Sequence, residues 1–163
     1  MNDPYRITDL AALESIYGPP AEFTRKESDH LHAEFCRFIE EAPFMVLATS
    51  GPGGLNASAK GDAGGFIKVL DEKTVLIPEW GANGRNDSLR NIVVDPRIAL
   101  IFFIPGVDEM VRVRGRAHLS TDPRLLEQFA GAGKAARCVI VVQVDEAMCQ
   151  CSRAIQKSRL WIS

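Results

Sequence analysis

The chain has 163 residues, of which 46% are hydrophobic and 25% charged, so we expect a folded domain rather than a disordered segment. A net charge of −2 gives no electrostatic reason to expect nucleic acid or an anionic membrane as a partner. No apolar run is long enough to span a bilayer, and charged residues interrupt the N-terminal stretch. We therefore expect a cytoplasmic protein.

The N-terminal part of the chain, over residues 7–41, is predicted to be helical. Apolar residues at helical spacing predict a first helix that is capped by Thr8 or Asp9 and ends before the Gly-Pro-Pro sequence at 18–20. A second helix is predicted over residues 27–41. Its apolar face contains Leu31, Phe35, Phe38 and Ile39.

Most of the remaining chain is predicted to form strands. Short apolar or alternating runs, separated by turn residues, predict strands over 44–49, 55–60, 66–70, 74–78, 98–104, 109–120 and 139–144. The run at 98–104 is continuously apolar, which predicts burial on both faces. Further helices are predicted over 85–94, 123–129 and 145–157, the last one capped by Asp145.

These elements predict a single domain over residues 1–163 that is mainly β with flanking helices. Closely spaced strands joined by short helices are typical of a closed barrel. A Rossmann unit is not expected, because no G-x-G-x-x-G turn follows the first strand. The sequence also has no P-loop ending, so a nucleoside triphosphate site is not expected either.

One candidate anion site lies where the strand at 74–78 is followed by the helix at 85–94. Arg85 stands at the head of that helix, where free backbone amides and the helix dipole favour an anion. Neutral donors stand beside it, and Lys60, at the end of an earlier strand, is a second cation; the donors are Asn83, Asn86 and Ser88. The alternative is an ordinary helix start, with Asn86 or Asp87 as the cap and a solvated Arg85.

Two further patterns leave a functional and a structural interpretation open. Ser58, Ala59 and Gly61 are small, so a flat ligand could lie against that backbone, or the residues could simply permit a tight bend. Met110, Arg112 and Arg114 alternate along a strand and therefore share one face. That face could contact a ligand, or it could be solvated and paired with the acidic residues at 108–109.

Neither a metal site nor a nucleophilic triad is expected from the sequence. The histidines and cysteines are scattered, and the Cys149-Gln150-Cys151 spacing is too close for a C-x2-C metal knuckle. Buried free thiols and surface histidines are the simpler interpretation.

Three segments in a fixed order carry a family resemblance: residues 56–62, residues 77–91 and the Arg-rich strand at 110–116, with the apolar segment 95–103 before the last of them. In this order they resemble the FMN-binding split-barrel flavoproteins related to pyridoxamine 5′-phosphate oxidase. The resemblance implies a split β-barrel, FMN as cofactor, and a homodimer with the flavin sites at its interface. It also implies oxidoreductase chemistry on a small-molecule substrate.

The resemblance assigns roles to particular residues. It implies that Arg85 binds the FMN phosphate, that Lys60 lines the same site, and that Ile77 and Pro78 touch the flavin. The strand that carries Met110 and Arg112 would reach the flavin of the partner subunit. The tail keeps the Arg159-Leu160 pair of the oxidase proper but has Trp161 where its histidine stands, and it fits the less specific members better.

The sequence identifies neither the substrate nor the electron acceptor, because the residues that would choose the substrate lie in loops without a recognisable signature. Relatives of this fold use F420 or haem in place of FMN. A non-catalytic module that stores or senses flavin or haem is thus an alternative to an oxidoreductase. A third possibility is an interaction domain with a vacant ancestral site.

Overall fold

The computed structural model describes residues 3–19, 27–81, 84–131, 135–150 and 153–161. Eight strands form one sheet, and every strand pairing in it is antiparallel. The strands are β1 (Glu27–Ser28), β2 (Phe44–Gly51), β3 (Gly54–Gly61), β4 (Lys68–Asp71), β5 (Thr74–Glu79), β6 (Arg97–Phe103), β7 (Met110–Ser120) and β8 (Cys138–Gln150). The helices are α1 (Leu10–Tyr17), α2 (Ala33–Glu41), α3 (Asp87–Val94), α4 (Pro123–Leu126), which continues as a 3₁₀ turn over Glu127–Phe129, and α5 (Arg153–Ser158). The predicted mainly β architecture with flanking helices is confirmed.

The strand order of the sheet is β3-β2-β6-β7-β8-β5-β4. The long strand β8 pairs with β7 along one edge, while its other edge pairs with β5 over residues 138–143 and with β1 at residues 147–148. β3 and β4 are the terminal strands of this order, so one edge of β3 has no strand partner among the described residues. The free edge of β3 lies beside the site described below.

The inner face of the sheet holds the hydrophobic core. On β2 and β6, buried residues alternate with less buried ones, and strand register pairs Met45 with Phe102 and Leu47 with Leu100. Helix α2 contributes Ile39 to the same core, and α3 contributes Ile92. The pattern of period two is the one expected for a strand that buries one side.

The opposite side of β2, β3, β6 and β7 is called the outer face here. It carries small and apolar residues on the first three strands and a row of arginines on β7, in the register of the sheet. The prediction that 98–104 is buried on both faces is wrong for this chain alone, because Ala99, Ile101 and Phe103 remain half-exposed. Their apolar character fits a surface that another molecule covers.

Two predicted element boundaries need correction. Residues 27–28 form the short strand β1, so the second helix begins at Ala33 and not at Glu27. Residues 145–150 were predicted to begin the C-terminal helix, but they continue β8, and the helix starts at Arg153. Asp145 does not cap a helix; it is the extra residue of a bulge, since Arg114 pairs with Glu146 and Gly115 with Val144.

The first helix is confirmed as an N-terminal amphipathic element. It spans Leu10–Tyr17, and the Asp9 carboxylate caps it by accepting a hydrogen bond of 2.8 Å from the Ala12 amide. None of its residues is buried. Among the described helices, none is long and apolar enough to cross a membrane.

Candidate functional site

A polar cleft of about 330 Å³ lies between the inner side of β3, the end of β5 and the start of α3. The three elements come from separate parts of the chain and meet beside the free edge of β3. Its lining combines hydroxyl, amide and charged side chains with two apolar residues: Asn56, Ser58, Ala59, Lys60, Glu79, Arg85, Asn86, Asp87, Ser88 and Leu89.

Three neutral side chains form a hydrogen-bonded cluster in the cleft. The Ser58 and Ser88 hydroxyls are 2.8 Å apart, and the Asn56 Nδ2 group donates to both of them at 3.1 and 3.0 Å. Asn56 and Ser58 lie on the inner side of β3 because they pair in register with Thr49 and Leu47. Ser88 is buried in the first turn of α3. The cluster thus ties β3 to the helix and presents hydroxyl groups to the cleft.

The start of α3 leaves its backbone amides available. Asn86 precedes the helix in the left-handed conformation, with φ of 55°, and its side chain makes no capping hydrogen bond. An N-terminus without a side-chain cap offers unsatisfied N–H groups and the positive end of the helix dipole. Together with the two hydroxyls and Arg85, these donors fit a phosphate group.

Each cation of the cleft has a carboxylate partner. Arg85 donates from Nε to Asp87 Oδ2 at 2.9 Å, and the two side chains are 80% and 44% exposed. Lys60 donates from Nζ to Glu79 Oε2, and these side chains are only 19% and 16% exposed. Glu79 is further held by the Gly81 amide, which donates to its Oε1 at 3.3 Å. The Arg85–Asp87 pair is therefore well solvated. The Lys60–Glu79 pair, called the inner ion pair below, is largely shielded from water.

Cys138 stands beside the inner ion pair, because it is the strand partner of Glu79 on β8. Burial raises the pKa of the Cys138 thiol, and the Glu79 carboxylate adds to this shift while Lys60 and Arg137 oppose it. The thiol is therefore protonated at neutral pH. Half-buried and protonated, it is a poor nucleophile.

The structure brings six of the predicted site residues into this cleft: Ser58, Ala59, Lys60, Arg85, Asn86 and Ser88. Gly61 follows Lys60 at the end of β3. Ile77 and Pro78 are buried on β5, where Ile77 belongs to the core, so neither side chain lines the cleft. Asn83 lies outside the described residues.

The two β7 residues predicted for the site lie on the outer face, away from the cleft of their own chain. Met110 is buried, and Arg112 is half-buried between its register partners Ile101 and Met148. Arg112 has no ion-pair partner among the described residues, whereas Arg114, two residues further along β7, forms an ion pair with Glu146 on the adjacent strand β8. The shared face of Met110, Arg112 and Arg114 is confirmed by the strand register.

Sequence reasoning missed Asn56, Glu79, Asp87 and Leu89 as cleft residues. Glu79 ends β5 and Lys60 lies near the end of β3, and four strands separate β3 from β5 in the sheet order. Only the three-dimensional closure of the sheet brings these two side chains together. The one signal in the sequence for this contact is the carboxylate of Glu79, which stands between the apolar strand at 74–78 and the loop at 81–86.

In the part of the chain that the structure describes, no group of three histidine, cysteine or acidic side chains could hold a metal ion. The three described cysteines, Cys36, Cys138 and Cys149, are of intermediate burial. Cys151, the other half of the closely spaced pair, lies outside the described residues.

A family model described as pyridoxamine 5′-phosphate oxidase matches residues 31–151 of this chain. Among solved structures, HupZ of Group A Streptococcus superposes with a TM-score of 0.62 at 19% identity, covering 75% of this chain and 95% of HupZ. A Lactobacillus delbrueckii protein provisionally assigned as a pyridoxamine 5′-phosphate oxidase gives a TM-score of 0.55 at 20% identity, with 74% and 95% covered. An FMN-binding protein of Syntrophomonas wolfei gives 0.54 at 9% identity, with 71% and 86% covered.

Identities this low show a shared fold, which is the predicted split barrel, and leave ligand and substrate to be argued from the site. Comparison with curated proteins finds no significant match.

Proposed function

This chain belongs to the pyridoxamine 5′-phosphate oxidase family, and we propose that it is an FMN-binding oxidoreductase acting on a small molecule. The observation that carries the proposal is the polar cleft beside β3. Its Ser58–Ser88 hydroxyl pair, the uncapped start of α3 and Arg85 converge in one place, and all three are suited to a phosphate.

In this proposal the phosphate lies in the cleft and the ring passes around the free edge of β3. Ser58 and Lys60 face the cleft, while Ala57 and Ala59 face the opposite side of the same strand. Small side chains there allow a flat ring close approach to the backbone, and the unpaired strand edge offers amide donors to the edge of the ring.

We propose that a second copy of the chain completes the site by covering the outer face. Half-exposed Val46, Ala48 and Ile101 are apolar, which supports a covered surface. A two-fold interface would bring the β7 strand of one subunit, with Met110 and Arg112, towards the flavin of the other and would create two equivalent sites. In this arrangement a single subunit has only part of the flavin site, so FMN binding would require the dimer.

When bound, FMN would supply the hydride or electron chemistry, and the protein would bind and orient it. Ser58, Ser88 and Arg85 would hold the phosphate, and the half-buried Cys138, protonated at neutral pH, would stay outside the reaction. No side chain is assigned as a general acid or base. The cytoplasmic location expected from the sequence stays a prediction.

A second candidate is a module that binds flavin or haem without turnover. Similarity to the FMN-binding protein of Syntrophomonas wolfei supports flavin binding and is silent on catalysis.

The experiment is an absorbance spectrum of the purified protein, followed by mass identification of the released chromophore. A flavin spectrum with FMN released is expected. NADH or NADPH should then reduce the bound flavin, and an acceptor should reoxidise it over repeated turnovers. Bound flavin that undergoes no reduction would favour the storage or sensing module, and a colourless protein that also rejects added FMN would contradict flavin binding altogether.

A further inference from the structure

We propose that Glu79 determines how strongly the cleft prefers a phosphorylated ligand, by withholding the charge of Lys60. This inference rests on the proposed function, because it concerns the anion that the cleft would bind. It differs from the expectation drawn from sequence, in which Lys60 is a second cation for the phosphate.

The first step of the argument is the charge of the cleft. Its lining contains two cations, Lys60 and Arg85, and two carboxylates, Glu79 and Asp87. The formal charges cancel, so a phosphate meets no net attraction from the ionised side chains of the cleft taken together. Selection for an anion then depends on which ion pair opens most easily.

The two ion pairs differ in how firmly they are held. The Arg85–Asp87 pair is 80% and 44% exposed, so water and salt screen it, and it can rearrange around a ligand at little cost. The Lys60–Glu79 pair is 19% and 16% exposed, and separating partly buried charges leaves each of them poorly solvated. Arg85 is therefore the cation that a phosphate can recruit.

Glu79 is also fixed by its surroundings. The Gly81 amide donates to the carboxylate oxygen Oε1, while Lys60 contacts Oε2, so both oxygens are engaged. The pair joins the ends of β3 and β5, which share no strand hydrogen bonds. Moving Glu79 aside would break the contact that closes the sheet at this point, and this opposes release of Lys60 to a ligand.

The test compares FMN with riboflavin, which lacks the phosphate, by fluorescence titration of wild-type protein and Glu79→Gln. The substitution keeps the size of the side chain and its hydrogen-bonding oxygen but removes the charge. We expect FMN binding to tighten roughly tenfold while riboflavin binding changes little, because Lys60 can then make a charge-assisted bond to the phosphate. An unchanged ratio of the two dissociation constants would overturn the proposal.

Asp122→Asn is the matched control, since it removes one negative charge from an exposed Asp–Arg pair outside the cleft. It should leave the FMN-to-riboflavin ratio at the wild-type value. Asp87→Asn removes a charge within the cleft from the solvated pair and should change the ratio by less than Glu79→Gln does.

If Glu79→Gln does not fold, the double variant Lys60→Gln with Glu79→Gln tests the same proposal. Removing a neutralised pair should leave the wild-type preference for FMN within about twofold. A loss of roughly tenfold in that preference would show that Lys60 already serves the phosphate in the wild type, and would overturn the proposal.

If wild-type protein binds neither flavin, the proposed function fails, and inorganic phosphate becomes the probe. Phosphate should then raise the thermal midpoint of Glu79→Gln more than that of the wild type. Equal shifts would overturn the role of Glu79 independently of the flavin.

Discussion

Arg85 is the exposed member of the two cations in the cleft, and its contribution can be measured by a ligand pair that differs only in phosphate. Arg85→Ala should weaken FMN binding by roughly ten- to a hundredfold, because a charge-assisted contact contributes about 1.5–3 kcal/mol. Riboflavin binding should change little. Isothermal titration with both ligands measures the difference, with Arg124→Ala as the control, since Arg124 forms a similar exposed pair with Asp122. Equal losses of affinity for both ligands would instead indicate that Arg85 is a solvated residue at an ordinary helix start.

Cys138 reports on the charges around the inner ion pair. Alkylation requires the thiolate, and burial together with Glu79 raises the pKa of this thiol. In the folded protein its reaction with iodoacetamide should therefore be slow at pH 7 and should accelerate only at a higher pH than in the urea-unfolded chain. Peptide mass spectrometry gives the rate at this cysteine alone. A folded-state rate at pH 7 that equals the unfolded rate would contradict the assigned environment.

At the scale of single elements, Gly115 marks the bulge that lets β7 and β8 pair over their whole length. A Cβ atom built at Gly115 would lie 2.1 Å from the Gln143 carbonyl oxygen, and backbone cannot move aside as a flexible side chain can. Gly115→Ala should therefore lower the free energy of unfolding by about 1–3 kcal/mol or more. Urea titration measures it, and Gly53→Ala, where a Cβ would meet nothing within 4 Å, is the control. Equal midpoints for the two variants would refute the close approach.

The same bulge explains where prediction from sequence failed. Alternation and turn residues located most strands, because side-chain period and Gly/Pro punctuation are local signals. Asp145 resembles a helix cap for equally local reasons, yet β7 supplies a long pairing partner that overrides them. Pairing over so many residues stabilises a strand through contacts that a window of sequence does not contain.

The candidate site shows the same division. Ser58 could be chosen from sequence as a small residue, and Lys60, Arg85 and Ser88 as donors whose phosphate role the family resemblance implies; the four do share a cleft. Glu79 could not, since its role depends on the ends of β3 and β5 meeting across the sheet. Small residues and cations can be recognised within a single segment of sequence. The pairing of Lys60 with Glu79 is known only once the fold brings the two strand ends together.

For the whole molecule, the apolar segment 98–104 carries the clearest expectation, because half of it remains uncovered in one chain. We expect the wild-type protein to be a dimer at micromolar concentration by light scattering. Val46→Glu places a carboxylate in the middle of the outer face, where its register partners on β3 and β6 are apolar, and burying it unpaired against a second copy would cost several kcal/mol. The variant should therefore be a folded monomer with weakened FMN binding, since the site would lose the β7 strand of its partner. Leu70→Glu, an exposed position on β4 with a side chain of similar character, should remain dimeric and bind FMN as the wild type does. A wild-type monomer that binds FMN tightly, or a dimeric Val46→Glu variant, would contradict this interface and remove Met110 and Arg112 from the flavin site.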